Sequence, residues 1–114
     1  MTQRMEKVQK LARQVLGEAI GDLKDPRIGF ATVTAVRISP DLRHARVWVS
    51  VLGSAEQQEE TMKGLTSATP HLRGELGRQV RMKYLPELSF ELDTGAQEAE
   101  HLEEILHKIH EDDS

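Results

Sequence analysis

The sequence predicts an α+β domain: a small mixed three-stranded sheet with helices packed on one face, followed by a C-terminal helix. Three observations predict it. Apolar residues recur every three or four positions in four segments, the period of a helix buried on one side. Three other segments are rich in β-branched residues or alternate apolar with polar side chains, the period of a strand. The order is helix, strand, strand, helix, helix, strand, helix. A tight turn joins the first two strands, which makes them antiparallel. Two helices separate the second strand from the third, enough for a crossover to a parallel neighbour.

The first helix carries Met5, Val8, Leu11, Ala12, Val15, Leu16, Ala19, Ile20 and Leu23 on one stripe. It is expected to end at "KDPR", because Pro26 biases Asp25 away from helical geometry. "GFATVTAVRIS" is the first strand, "SPDL" a turn, and "RHARVWVSVLG" the second strand. In the latter, Ala45, Val47, Val49 and Val51 point to one side, and His44, Arg46, Trp48 and Ser50 to the other. The next helix runs from about Ala55 to Ala68, with Met62, Leu65 and Ala68 inward. Apolar spacing continues past Pro70, where a proline inside a helix would cost about 3 kcal/mol. Two helices meeting at a junction avoid that cost, with Thr69 as N-cap and Pro70 as first helical residue. In the second of them Leu72, Leu76 and Val80 share the core flank, while Arg73, Gly74, Gly77, Arg78 and Arg81 share the other. "LPELSFELD" is the third strand, and residues 96–110 read as the last helix, striped by Ala99, Leu102, Ile105, Leu106 and Ile109.

The 114 residues suffice for one domain. Without cysteine the chain has no disulfides, thiolate metal sites or cysteine nucleophiles. It has no apolar run of bilayer length and no signal-like N-terminus, so a soluble cytoplasmic protein without membrane contact is expected. Enzyme readings are poor. Ser39, Asp41 and His44 cluster in a hairpin turn that supplies neither pocket nor oxyanion hole. His101, His107 and His110 among terminal acids read as a solvated helical face, so no metal or other cofactor is expected.

The net charge of −4 hides an asymmetry: residues 1–86 sum to +5 and residues 87–114 to −9. A basic body with an acidic end suits a polyanion partner. On the helix after Pro70, glycines remove side chains between arginines, so a phosphate backbone could approach closely. The candidate RNA contacts are Thr69, Pro70, His71, Arg73, Arg78, Arg81 and Lys83, with Arg43 and Arg46 in support and Trp48 as a stacking platform if its face is open. The competing reading is a protein–protein adaptor that docks a basic partner through the acidic C-terminal helix.

"DPRIGFATVTAVRISPDLRHARVWVSVLG" followed by "HLRGELGRQVRMKYLPELSFELD" resembles the bacterial ribosome-binding factor A family over nearly the whole chain. The resemblance implies a type II KH-like fold over residues 1–93, with an acidic helix and tail at 94–114. It also implies a monomeric factor that binds the free small (30S) ribosomal subunit and its rRNA. Such a factor assists late maturation and processing of 16S rRNA, acts in cold adaptation, and has other ribosome assembly factors as candidate partners. In that family an Ala-x-Gly kink replaces the usual KH Gly-x-x-Gly loop. Here the position reads Ala68-Thr69-Pro70. Proline can hold a kink but offers neither glycine's positive φ nor an amide N–H.

Overall fold

Six elements follow in the predicted order across residues 3–94, the part of the chain that the computed structural model describes. They are α1 (Gln3–Gly21), β1 (Ala31–Ile38), β2 (His44–Val51), α2 (Ala55–Ser67), α3 (Thr69–Gln79) and β3 (Glu87–Leu92). The expected helix over 96–110, and with it the acidic segment and its histidines, lies outside the described residues.

The sheet order is β1-β2-β3, antiparallel between β1 and β2 and parallel between β2 and β3. The tight "SPDL" turn and the two-helix crossover thus produce the mixed sheet expected of them. Strand β2 is central, so its inward residues Ala45, Val47 and Val49 are wholly buried. Leu16, Leu65, Leu72 and Leu76 from the three helices meet them, making one core between the helices and one sheet face. β1 contains a bulge: Val33 pairs with Val49, but Ala35 pairs with Trp48, leaving Thr34 as the extra residue. The bulge flips the alternation, so that Val33 and Val36, three apart, both reach the core.

Four local expectations are corrected. Helix α1 stops at Gly21, four residues before Asp25, as the amides of Asp22 and Leu23 close back onto Glu18 and Ile20. Leu11 lies off its buried stripe and is 43% exposed. Thr69 is not an N-cap. Ala68 both ends α2 and starts α3, with helical dihedrals (φ −83°, ψ −3°). The chain therefore stays nearly helical through the junction. The Thr69 hydroxyl turns back to donate to the Leu65 carbonyl at 3.1 Å instead of capping α3. Finally, α3 ends at Gln79 with Val80 extended, so Arg81 sits with Lys83 in the following loop and not on the helix face. The start of α2 is fixed by Ser54 and Gln57, which form a reciprocal capping box.

Candidate nucleic-acid interface

At one end of the sheet the β1–β2 turn meets the loop entering β3. The turn is held by side chains. The Ser39 hydroxyl donates to Asp41 Oδ1 at 2.6 Å and accepts from the His44 amide at 3.0 Å. Asp41 Oδ1 also accepts from the Arg43 amide at 3.1 Å. Leu42 takes a positive φ of 63°, unusual for a bulky residue, and packs partly buried against the core. Across the gap, the Glu87 amide donates to the Arg43 carbonyl at 2.8 Å, tying β3 to the turn.

This framework presents Arg43. Its guanidinium lies 4.6 Å from the centre of the Tyr84 ring, and Lys83 Nζ lies 5.5 Å from the same ring. Two cations thus lie against one aromatic side chain that is 40% exposed. Phosphate oxygens can pair with such cations while an unstacked base lies on the ring. Tyr84 was missed in the sequence. The signal available was "RMKYL", an aromatic interleaved with basic residues in a loop.

The hydroxyl of Ser39, and then the Arg43 amide, hold the Asp41 carboxyl below its usual range. A depressed carboxylate contributes order above the unfolded value and loses it as pH falls through the folded one. The Asp41 carboxyl, followed by NMR, should therefore titrate below the aspartate of an unstructured peptide. Ser39→Ala should move its midpoint upward; an unmoved midpoint would refute this account of the turn.

The structure distributes the other sequence candidates among different duties. Arg73 reaches off α3 and donates through Nε to the Pro86 carbonyl and through Nη2 to the Leu85 carbonyl, both at 2.9 Å. It anchors the loop that carries Lys83 and Tyr84. Arg78 pairs with Glu75 one turn earlier on α3, and that contact, ahead of the Gln79 amide's, pulls the Glu75 carboxyl down. Arg46 lies on the sheet's open face, 2.6 Å from Glu91 and stacked 4.6 Å over Trp48. Trp48 is only 8% exposed, so it offers no open stacking platform. Pro70 and His71 are exposed at the helix junction, and Arg81 is exposed beyond α3.

The family model for ribosome-binding factor A matches residues 4–106. The chain belongs to the ribosome-binding factor A family. A Ribosome-binding factor A from Natranaerobius thermophilus is 39% identical over 107 residues, covering 93% of this chain and 82% of that one. The crystal structure of ribosome-binding factor A from Thermus thermophilus superposes with a TM-score of 0.70 at 33% identity, over 77% of this chain and 94% of that one. A homology model of the Thermus thermophilus factor, fitted into a cryo-EM map of a 30S complex, gives a TM-score of 0.62 at 35% identity, over 73% and 88% of the two chains. Solved ribosome-binding factor A structures therefore share this chain's α+β architecture.

Proposed function

We propose that this chain is a non-catalytic factor that binds the small ribosomal subunit through ribosomal RNA and assists late maturation of 16S rRNA. The observation that carries the reading is the 35%-identical Thermus thermophilus factor fitted into a 30S complex. The order α-β-β-α-α-β with an uncapped α2–α3 junction supports a type II KH-like reading of residues 1–93, with 94–114 as a separate acidic segment. Within that frame Arg43, Lys83 and Tyr84 form the principal contact, Arg81, Pro70, His71 and Thr69 extend it, and Arg73 positions its loop. Arg46 and Arg78 contribute less, since each already holds a carboxylate. Maturation would follow from binding an immature rRNA conformation better than the mature one, because a ligand shifts a population only through differential affinity.

Cosedimentation with purified small subunits tests the reading. Counterion release predicts affinity falling linearly in log–log form with salt, with a slope of about −0.7 to −0.9 per phosphate contacted. A slope of about −2 or steeper is expected. Salt-independent binding would exclude an RNA-backbone contact. Equal binding to immature and mature subunits would exclude the maturation role.

A further inference from the structure

At the other end of the sheet, beyond the C-terminus of β2, two large apolar side chains stand in solvent. Phe30 is 82% exposed and Leu52 78% exposed. The Leu52 amide donates to the Phe30 carbonyl at 3.0 Å, so the pair is held side by side. Beside it is a cleft of about 540 Å³, bordered by Arg27, Gly29, Phe30, Leu52, Glu56 and Glu60. The cleft has a hydrogen-bonded floor. The buried Thr61 hydroxyl accepts from the Gly29 amide at 3.2 Å and lies 3.3 Å from the Arg27 carbonyl, to which it donates.

The rim is acidic. Arg27 is already held by Asp25 at 2.6 Å. Lys63 is shared between Glu59 at 3.9 Å and Glu60 at 3.6 Å. Glu56 has no counter-ion among the described residues. The positive end of the α2 dipole accounts for Glu56 in the first turn, but not for Glu59 and Glu60 beyond it. This end of the molecule therefore repels a polyanion and offers adjacent apolar anchors, the reverse of the Arg43–Tyr84–Lys83 end. A contiguous exposed apolar patch rimmed by polar groups marks a protein contact.

We propose that the Phe30–Leu52 cleft binds a basic polypeptide segment, whose apolar side chain packs on Phe30 and Leu52 while its lysines or arginines meet Glu56 and Glu60, the two carboxylates that border it. The inference is independent of the RNA reading, because it concerns the opposite end of the sheet and a ligand of opposite charge.

The test is an NMR titration of the full chain with a synthetic lysine-rich peptide carrying a central Leu-Phe pair. Saturable shifts are expected at residues 27–30, 52–57 and 60. Replacing the peptide's Leu-Phe with serines, or its lysines with glutamates, should weaken binding at least about tenfold, as removal of an anchor does. Phe30→Ser with Leu52→Ser should do the same with unchanged thermal unfolding, as should Glu56→Lys with Glu60→Lys. Equal binding of the control peptides, or shifts confined to the Arg43 end, would overturn the proposal. So would concentration-dependent shifts at the cleft without peptide, which would indicate a second copy of the chain, or shifts there on adding an RNA oligonucleotide.

Discussion

Replacing Arg43 and Lys83 together with glutamate is expected to lower small-subunit affinity about 100-fold while leaving the fold unchanged. Both side chains lie on the surface, and their contacts are with Tyr84 and not with the core. On the proposed RNA-binding role, the double change would remove two phosphate contacts and add repulsion at both positions. It also removes the two cations that lie against the Tyr84 ring and hold it in place. The salt slope should become shallower by about 1.5 in the same experiment, since each lost phosphate contact removes about 0.7–0.9. Arg78→Glu is the internal control. Arg78 already pairs with Glu75, so its reversal should change binding much less. Equal losses in the two variants would mean that only overall charge matters, and the cluster would have no special role.

The contrast with Arg73 shows what the sequence could and could not say. Helical spacing put Arg73 opposite Leu72 and Leu76, and the charge suggested a ligand. Its guanidinium instead serves the carbonyls of Leu85 and Pro86. A residue's partners more than a turn away are set by where the chain returns, which periodicity does not encode. Tyr84 escaped for the same reason: a lone aromatic in a loop belongs to no repeat, and only the return of β3 alongside Arg43 gives it company. The sheet was legible because each strand carries its own signal. Turn chemistry around Pro40 and Asp41 dictates the β1–β2 pairing, and two helices between β2 and β3 dictate the parallel one. The bulge was also encoded, in the inward spacing of three between Val33 and Val36. That break in alternation has meaning only once a strand there is accepted.

Gly64 illustrates a helix-weakening residue that the tertiary fold requires. In isolation a glycine within α2 costs about 1 kcal/mol relative to alanine. Yet a Cβ built at Gly64 would stand 2.6 Å from Ile28 Cγ1 and 3.2 Å from its Cδ1, with the Arg27 side chain at 3.5 Å. Cγ1 is bonded to the Ile28 branch carbon, so relief needs a new χ1 rotamer of a β-branched, partly buried side chain or a shift of the loop. That loop is pinned on both sides, by Asp25 accepting from the Arg27 amide at 2.9 Å and by Thr61 bridging to Arg27 and Gly29. Gly64→Val is therefore expected to destabilise the protein by about 2 kcal/mol, since overpacking costs about 1–3 and the better helix propensity returns only a few tenths. For a chain of this size that lowers the thermal midpoint by roughly 10 °C. Gly64→Ala should lose less, because alanine regains most of the helix cost. In a double-mutant cycle, Gly64→Val with Ile28→Ala should lose less than the sum of the two single losses, a coupling expected only if these two side chains compete for one space. A Gly64→Val protein as stable as the parent would show that the loop gives way freely. The floor of the Phe30–Leu52 cleft would then be pliable, and the cleft could not present its two anchors in a fixed arrangement.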